Sequence, residues 1–371
     1  MKRTLALLVT WSALLLAGCG SRGGPGAVAP PRTAPTPSEQ TTSTGSGELR
    51  VSFLDVGQGD SALIQAPGGY EVLIDGGPNE AGPRVIEALH SAGVREVDLL
   101  LGTHPHEDHI GGLMDVLREV PVKQALDPGY AHGTSLQRKY LELLKAKGVK
   151  TTRARRGQGY DLSGGVRLDI LAPEDPLIKG TSADANNNSI VARLTYGSTA
   201  FLFTGDMEEE ERERLTQSVP HTQLRADVLK VAHHGSHNGT DPQFLQLVQP
   251  RYAVISLARG NDYGHPHREA LEALEQSGAQ ILRTDERGTV VFTSDGHQVH
   301  LHGAPASPAR SVRSTAPAIQ VIGNRESHVY HAPDCPRLPA HDKQVTFSSA
   351  VDAKKAGYHP HAACMRGNGR P

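Results

Sequence analysis

The chain has 371 residues, a formal net charge of −2 and three cysteines. This length is sufficient for more than one folded unit, whereas three cysteines cannot form a disulfide framework. Aromatic residues make up 4% of the chain, which argues against a stacking platform for single-stranded nucleic acid. The charge is uneven. From residue 304 onward nine Lys or Arg stand against four Asp or Glu, so the C-terminal part is basic.

Residues 1–19 have the pattern of a lipoprotein signal peptide. Lys2 and Arg3 precede an apolar stretch, residues 5–16, that is too short for a membrane span. It ends in Leu-Ala-Gly-Cys at Cys19, which resembles a bacterial lipobox. We therefore expect a lipidated Cys19 and a protein that works outside the cytoplasm, on the periplasmic or cell-surface side of a bacterial membrane. An ordinary cleaved signal peptide is the alternative.

Composition divides the rest of the chain into four parts. Residues 20–47 and 304–318 are rich in Pro, Gly, Ser, Thr or Ala and predict disordered linkers. Between them, residues 48–303 carry alternating strand and helix patterns and predict a folded domain. Residues 319–371 form a module too short for a strong apolar core, which predicts a structural staple. No apolar run after the signal peptide approaches about 18 residues, so no other membrane span is predicted.

Apolar patterns predict the elements of residues 48–303. The predicted strands are residues 49–54, 61–65, 70–74, 97–102, 166–171, 190–196, 199–203, 228–232, 252–257, 289–293 and 298–301. The predicted helices are residues 83–92, 110–120, 136–147, 208–217 and 268–276. Helices that flank layered sheets give an α/β fold class, and we expect a four-layer αββα sandwich.

One loop carries an unusual density of metal-competent side chains. His104, His106, Asp108 and His109 lie within six residues, directly after the apolar strand at residues 97–102. Loops at the carboxyl ends of strands are where open α/β sheets place their chemistry. Neutral imidazoles and a carboxylate suit Zn²⁺ or Mn²⁺, and such a loop can serve one or two ions. The alternative, a solvated polar loop, does not explain four such groups together.

Taken with residues elsewhere in the chain, this loop resembles the metallo-β-lactamase superfamily. The matching residues are His104-x-His106-x-Asp108-His109, Asp75 and Thr204-Gly205-Asp206. Four further stretches resemble the extracytoplasmic hydrolase domain of the ComEC competence proteins, and the resemblance covers residues 48–303. They are Phe-Leu-Asp-Val-Gly-Gln-Gly-Asp-Ser at 53–61, Asn-Asn-Asn-Ser-Ile at 186–190, Leu-Lys-Val-Ala-His-His-Gly-Ser at 229–236 and Tyr-Gly-His-Pro at 263–266. The multi-span channel of those proteins has no counterpart in this sequence, so the resemblance implies a membrane-tethered copy of the hydrolase domain.

The resemblance also implies a division of the ligands between two ions. His104 and His106 would bind one ion, Asp108 and His109 the other, and Asp206 would bridge the two. A distal imidazole would complete the second site, and the candidates are His233, His234 and His265. His233 is favoured because it directly ends a buried strand. Many superfamily members add a further His to the first ion where this chain has Asn186-Asn187-Asn188, which implies one firmly held and one loosely held ion.

Other residues would support these ligands or the reaction. Those expected to hold ligand imidazoles by hydrogen bonds, without touching metal, are Asp55, Asp75 and Asn188. Asp108 or Asp206 would take the proton from the attacking water. His234, Ser236 or His237 would reach the substrate's phosphate or its leaving oxygen, and His265 or His267 would do the same or cap the helix that follows.

The C-terminal module carries two pairs of metal-competent residues. His331 and Cys335 are spaced H-x3-C, and His361 and Cys364 are spaced H-x2-C, which together fit a closed tetrahedral structural zinc site. The stretch from residue 327 to residue 361 resembles the small Ada-like zinc module of some secreted nucleases, although His361 stands where that pattern usually has Cys. The resemblance implies a small α+β module stapled by Zn²⁺. A Cys335–Cys364 disulfide is the alternative, but it does not explain the two histidines.

These observations favour an extracytoplasmic, lipid-anchored, metal-dependent hydrolase that acts on DNA as a nuclease or phosphodiesterase. One alternative keeps the fold and metal site but changes the substrate to another small ester, a lactam or a nucleotide, because one scaffold hosts many chemistries. A second alternative is a non-catalytic DNA-binding lipoprotein at the surface. The intact metal-binding set argues against the second alternative, since a pure binder has no need of an open metal site.

Overall fold

The computed structural model describes residues 47–303, 321–331, 335, 337–340, 343–347, 353 and 356–361. The predicted signal peptide with Cys19, the linker at 304–318 and Cys364 lie outside the described residues. Within the described part of the chain, no helix is both long enough and apolar enough to cross a membrane.

Most strands and helices of the main domain lie where the sequence predicts them. The strands are β1 (Leu49–Phe53), β2 (Ala62–Ala66), β3 (Tyr70–Ile74), β4 (Val97–Leu101), β5 (Val122–Asp127), β6 (Lys150–Arg153), β7 (Gly159–Asp161), β8 (Val166–Ala172), β9 (Val191–Tyr196), β10 (Thr199–Phe203), β11 (Val228–Lys230), β12 (Tyr252–Ile255), β13 (Gln280–Arg283), β14 (Val290–Ser294) and β15 (Val299–His302). The helices are α1 (Gly82–Ser91), α2 (Glu107–Ile110), α3 (Leu113–Glu119), α4 (Ser135–Ala146), α5 (Glu209–Ser218), α6 (Pro242–Val248), α7 (Arg268–Ser277) and α8 (Thr284–Arg287).

These strands form two mixed sheets. The first has the order β15-β14-β1-β2-β3-β4-β5-β6, and the second has the order β13-β12-β11-β10-β9-β8-β7. In the first sheet β3, β4, β5 and β6 run parallel to one another. In the second sheet β10, β11, β12 and β13 do so.

Side-chain alternation along the strands builds the layers. Leu99 and Leu101 of β4 join Phe201 and Phe203 of β10 in an apolar core shared by the two sheets. The residues between them point the other way, as the period of two in a strand requires. Leu100 packs with the residues of α1, α3 and α4, and Leu202 packs with those of α5, α6 and α7. The predicted four-layer αββα sandwich is therefore confirmed.

This architecture brings five loops to one edge of the sandwich. Asp75 follows β3, the loop from Thr103 to His109 follows β4, and Asp206 follows β10. The loop with His233 and His234 follows β11, and the loop that carries His265 follows β12. Because β3 and β4 are parallel neighbours, as are β10, β11 and β12, the carboxyl ends of these strands meet at the same edge of each sheet.

The apolar patterns do not predict β5, β6, β7, β13, α2, α6 or α8. Strands β6 and β7 end the two sheets and read Lys-Thr-Thr-Arg and Gly-Tyr-Asp, with mostly exposed side chains. Edge strands tolerate such polar residues, so they give no apolar signal. The strand predicted at residues 228–232 ends earlier, at Lys230, because a short turn of 3-10 helix begins at Ala232.

The described part of the C-terminal module is a small four-stranded sheet. Its strands are β16 (Val321–Asn324), β17 (Val329–His331), β18 (Gln344–Phe347) and β19 (His359–Pro360), in the order β18-β16-β17-β19. Its buried apolar cluster consists of Val321, Tyr330 and Ala353, with Phe347 and Tyr358 packed against it. Such a small cluster agrees with the predicted need for a staple.

Candidate metal centre

The loop after β4 is shaped by close backbone packing. His106 has an extended backbone and stands directly before α2, which places His109 on the buried face of that short helix. Gly112 contacts the loop after β3 so closely that a Cβ there would overlap the carbonyl oxygen of Gly76. The amide of Gly76 in turn donates a hydrogen bond of 2.7 Å to the carbonyl oxygen of His109. Glycine at residue 112 therefore allows the ligand-bearing helix to lie against the loop that carries Asp75.

Asp206 lies at the centre of the converging side chains. Its Oδ2 atom is 3.2 Å from His109 Nε2 and 3.3 Å from His234 Nε2. The same oxygen is 3.8 Å from Nε2 of both His104 and His233. One buried carboxylate oxygen thus faces four imidazoles. The bridging role that the resemblance implies for Asp206 stays a prediction.

Four ligand atoms form the tightest group. One atom from each of Asp108, His109, Asp206 and His234 lies within 4.8 Å of the others. Within the described structure, His109 Nε2, His234 Nε2 and Asp206 Oδ1 are buried and not aligned with any hydrogen-bond partner. Buried polar atoms without partners are costly, and a bound cation would satisfy all three.

The electrostatics of this group agree with a bound cation. Burial by itself lowers the pKa of His109, but the carboxylates of Asp206, Asp108 and Asp75 raise it well above its ordinary value. The pKa of His234 is also lowered by burial and raised well above its ordinary value by Asp206 and Asp60. The carboxylates therefore favour positive charge at this position, and two imidazoles with two carboxylates suit Zn²⁺ or Mn²⁺. The four residues fit a divalent metal.

His104 and His106 form a separate pair. His104 Nε2 is 3.1 Å from His106 Nδ1, so the two rings converge beside Asp206. Burial and the nearby His109 lower the pKa of His104 well below its ordinary value, which keeps this imidazole neutral and able to bind a metal. The Asn186 side chain, which also lines the cleft, donates to Glu208 Oε1 over 2.7 Å.

Asp75 contacts His109 at Nδ1, whereas the other ring nitrogen of His109 faces Asp206. It is fully buried and accepts hydrogen bonds of 2.7 Å from both the amide and the hydroxyl of Thr103. His109 Nδ1 lies 2.8 Å from Asp75 Oδ2. A donated Nδ1–H would leave Nε2 as the metal-binding atom, which is the arrangement by which a carboxylate orients a ligand imidazole. This contact supports the role predicted for Asp75, which stays a prediction.

Asp55 and Asn188 lie in other surroundings. Asp55 Oδ1 accepts a hydrogen bond from the amide of Gly57, and Asn188 Nδ2 donates to the carbonyl oxygens of Ile178 and Asp184. These contacts shape their own loops. The prediction that both residues orient ligand imidazoles needs correction, because none of their recorded hydrogen bonds reaches an imidazole.

A buried Lys–Asp–His chain supports His234. Asp60 Oδ1 is 3.3 Å from His234 Nδ1, and Asp60 Oδ2 is 2.7 Å from Lys230 Nζ. Burial by itself raises the pKa of Asp60, but Lys230 and His234 outweigh it and lower the pKa below its ordinary value. The carbonyl oxygen of Ser256 lies 2.9 Å from the same Nδ1 of His234. Two acceptors thus fix the orientation of this ring.

The backbone turns sharply at the paired histidines. His233 and His234 have φ values of 48° and 51°, and Gly235 follows with a φ of 80°. Consecutive residues other than glycine in the left-handed region cost free energy and cluster at functional sites. The turn sends the rings in different directions, because His233 Nδ1 lies 3.1 Å from Glu208 Oε1 whereas His234 joins the four-atom group. The preference for His233 as distal ligand therefore needs correction, since the geometry favours His234.

His265 lies at the mouth of the cleft. Its ring centroid is 5.4 Å from that of His233 and 6.2 Å from that of His234. Burial, together with His234 and His233, lowers the pKa of His265 to about 4. The cleft has a volume of about 360 Å³ and is lined by Gln58, His106, Glu107, Asp108, Asn186, Asp206, His233, His234, Tyr263 and His265.

Comparison with known proteins agrees with this geometry. The profile of the Metallo-beta-lactamase superfamily matches residues 54–259. The chain belongs to the metallo-beta-lactamase superfamily. The matched residues include every ligand of the four-atom group, so the superfamily assignment and the converging side chains concern the same part of the molecule.

Three curated relatives are similar to the metallo-beta-lactamase domain. ComE operon protein 3 of Bacillus subtilis (strain 168) is 33% identical over 264 residues, which is 67% of this chain and 33% of that protein. Competence protein ComA of Neisseria gonorrhoeae is 31% identical over 245 residues, 66% of this chain and 32% of that protein. Recombination protein 2 of Haemophilus influenzae is 29% identical over 246 residues, 65% of this chain and 28% of that protein. The chain spans about a third of the length of these relatives.

This chain is therefore a metal-dependent hydrolase of the metallo-beta-lactamase fold, related to competence proteins. The roles of Lys230 and Glu208 could not be predicted from the sequence, because their partners Asp60 and His233 come from other loops. Lys230 gave one signal that could have been used, since it is a charged residue inside an otherwise apolar strand. A lysine buried in this way needs a carboxylate partner.

The C-terminal module brings together three of its four predicted ligands. Cys335 Sγ is 3.5 Å from His331 Nδ1 and 3.8 Å from His361 Nδ1. The two imidazole rings are 4.4 Å apart between centroids. Cys364, the fourth predicted ligand, lies outside the described residues. Two imidazole nitrogens directed at one thiol suit zinc better than a disulfide, in which the histidines would have no role.

Proposed function

We propose that the metallo-beta-lactamase domain is a phosphodiesterase that cleaves DNA outside the cytoplasm, held at a bacterial membrane by a lipid on Cys19. The observation that carries this proposal is the group Asp108, His109, Asp206 and His234, three of which, all but His109, line an open cleft. The substrate assignment is supported by similarity to proteins that are named for competence and recombination.

The residues of the cleft would have different roles in the proposed reaction. A divalent cation held by the four-atom group would supply Lewis acidity toward water and a phosphoryl oxygen. Burial by itself raises the pKa of Asp108, but His109 and His234 hold it well below its ordinary value, so this carboxylate is ionised and can accept a hydrogen bond from the attacking water. The Asp108 side chain is 26% exposed toward the cleft, whereas Asp206 is 2% exposed. Asp108 is thus better placed than Asp206 to take the proton from the attacking water.

His265 would act on the other side of the substrate. With a pKa lowered to about 4, its imidazole is neutral at pH 7. A neutral imidazole carries one N–H, which can donate a hydrogen bond to a phosphate oxygen or to the leaving oxygen. His234, another of the residues predicted for this contact, belongs instead to the four-atom group in this proposal.

The test is metal-dependent cleavage of DNA by the mature chain. Labelled plasmid, linear double-stranded DNA and single-stranded DNA would be incubated with Zn²⁺ or Mn²⁺, and then with excess chelator. We expect cleavage that stops on chelation and that falls by about 100-fold or more in a His104→Ala/Asp108→Ala double variant. A Glu87→Ala/His90→Ala variant, on the exposed face of α1, is the matched control. Equal cleavage by the metal-site double variant and the wild type would rule out the proposal.

We further propose that His331, Cys335, His361 and Cys364 hold a structural zinc ion in the C-terminal module. The convergence of His331 and His361 on Cys335 supports this. Thiol titration of a chain that begins at residue 20 would distinguish zinc from a disulfide. We expect two reactive thiols only after chelation, whereas a disulfide would give none until a reductant is added.

The lipid anchor has a simple test of its own. Wild-type protein and a Cys19→Ala variant would be expressed in a bacterium and partitioned between detergent and water. Recovery of the wild type in the detergent phase and of the variant in water is expected. Equal partition of both would contradict lipidation of Cys19.

A further inference from the structure

One aromatic ring stands open at the mouth of the cleft. Among the large hydrophobic side chains of the described residues, Tyr263 is 65% exposed, and Leu141, the next most exposed, is 39% exposed. Tyr263 also lines the cleft that contains Asp108, Asp206 and His234. Its position beside the proposed metal-binding residues raises the question of what its open face contacts.

The loop that carries Tyr263 is fixed by one side chain. Asn261 Oδ1 accepts hydrogen bonds from the amides of Tyr263 and His265, at 3.2 and 3.0 Å. Asn261 Nδ2 donates to the carbonyl oxygens of Ala258 and His265, at 3.0 and 2.7 Å. The side-chain amide of Asn261 therefore holds the backbone on both sides of Tyr263. This fixes the backbone position from which the Tyr263 ring projects.

The ring of Tyr263 also packs against the ring of His265. The planes of Tyr263 and His265 are 21° apart with centroids separated by 5.6 Å, a nearly parallel arrangement. His265 continues toward the metal centre through its contacts with the rings of His233 and His234. A flat group placed on the open face of Tyr263 would therefore extend a row of rings that begins at the metal-binding residues.

The charges of the residues that line the cleft indicate which kind of flat group would bind there. Its described lining includes carboxylates, imidazoles, amides and one phenol, but neither Lys nor Arg. Cationic side chains usually dominate the binding of duplex phosphates. A cleft without them, with a volume of about 360 Å³, is of the size used for small ligands. Stacking of a base on an aromatic ring supplies binding free energy that does not need cations.

We propose that Tyr263 stacks on an unpaired nucleobase adjacent to the phosphodiester at the metal centre, so that the site prefers single-stranded DNA or frayed ends. A base inside a duplex already stacks on both faces and cannot also cover the ring. This inference rests on the proposed phosphodiesterase function. The low aromatic content of the whole chain argued against a stacking platform, but a chain average does not register one ring fixed beside the site.

The test compares Tyr263→Ala and Tyr263→Phe in the full mature chain, loaded with Mn²⁺ or Zn²⁺. The substrates are a labelled single-stranded oligonucleotide, its blunt duplex and an abasic oligomer with the same phosphodiester backbone. We expect Tyr263→Ala to lower kcat/KM on the single strand by roughly 10-fold or more and to leave the abasic oligomer within about twofold. Tyr263→Phe should retain wild-type rates. Leu141→Ala removes an exposed large side chain from α4 and should leave the rates on all three substrates unchanged.

The outcomes separate this inference from the proposed function. Equal losses by Tyr263→Ala on the abasic and base-bearing oligomers would show a structural role for the ring and overturn the stacking proposal. Unchanged rates on both would overturn it as well, while leaving the phosphodiesterase proposal intact. If the metal-loaded wild type cleaves none of the three substrates, the proposed function itself fails, and stacking fails with it.

Discussion

The ligands on the two sides of Asp206 are held in different ways. On one side, His109 and His234 each direct Nδ1 toward buried acceptors, Asp75 for the first and Asp60 with the Ser256 carbonyl for the second. On the other side, His104 and His106 lie against each other.

Acceptors behind a ligand imidazole fix its orientation and raise its basicity. We therefore expect the ion held by Asp108, His109, Asp206 and His234 to bind more tightly than an ion at His104 and His106. The asparagines at residues 186–188 predict the same difference in affinity. The structure adds a second reason: carboxylate and carbonyl acceptors lie behind His109 and His234, whereas His104 Nδ1 faces, among the described residues, only the hydroxyl of Thr103, at 3.2 Å.

The largest effect is expected from removing an imidazole of the four-atom group, and the comparison is with removing one imidazole of the His104–His106 pair. His234→Ala should lose the tightly held ion and lower phosphodiesterase activity by roughly 10³-fold or more. His106→Ala should keep that ion, because the four-atom group remains complete. Metal content after dialysis, measured on both variants, checks this. If His106→Ala loses its metal as readily as His234→Ala does, the two sides are equivalent and the comparison is wrong.

The next effect concerns the charge that supports His234. Lys230→Met would leave the Asp60 carboxylate buried beside His234 without its ammonium partner. Removing one member of a buried ion pair costs about 3–5 kcal/mol in the free energy of unfolding. Denaturant unfolding in the presence of chelator, which separates folding from metal binding, would measure it. Adding Asp60→Asn to the same chain should recover part of the loss.

Lys123→Met provides the control for that measurement. Lys123 is 58% exposed and pairs with Glu96 and Asp98. Exposed ion pairs contribute little to stability because solvent screens them, so this variant should unfold close to the wild type. A similar loss for both lysine variants would argue against a special role for the buried Lys230–Asp60 pair.

A smaller effect is expected from the carboxylate behind His109. Asp75→Asn keeps the shape of the side chain but removes one of its two acceptor oxygens. Loss of such a supporting group typically lowers metal affinity by about 10- to 100-fold. Competition with a chromogenic chelator would give the affinity of the tighter ion. Asp55→Asn should leave it unchanged, and an equal effect of both substitutions would restore the original prediction for Asp55.

The smallest effect concerns the turn that carries Asn186–Asn188. Ser189 donates its amide to Glu211 Oε2, and Glu211 donates its own amide to Asn187 Oδ1. Burial raises the pKa of Glu211 well above its ordinary value of 4.5. The folded chain therefore holds this proton more tightly than the unfolded chain does. The free energy of unfolding should fall as the pH rises from about 4.5 through the raised pKa, by at most about 1.4 kcal/mol per pH unit.

Glu211→Gln should remove that dependence on pH. Urea unfolding of the wild type and the variant across this range, with chelator present, would measure the difference. Parallel curves for the two proteins would show that Glu211 does not keep its proton on folding. Such a result would show that a protonated Glu211 does not stabilise the turn at residues 186–188.

The sequence by itself determined the features that are contiguous along the chain. The αββα sandwich follows from apolar strands that alternate with amphipathic helices, and the structure confirms it. The metallo-β-lactamase assignment follows from short motifs in a fixed order, and it too is confirmed. The loop from His104 to His109 was predicted as a metal site because its side chains are close together whatever the fold.

Only the tertiary structure decided the features that depend on direction or on distant partners. His233 and His234 are adjacent, and a turn with positive φ at both determines which ring reaches Asp206. Lys230 and Asp60 come from different sheets and meet only when the layers pack. Asp55 and Asp75 each follow a strand of the first sheet, yet only Asp75 lies beneath a ligand imidazole. Motifs record residue types and spacing, whereas the direction of a side chain depends on backbone angles and packing that a single sequence does not contain.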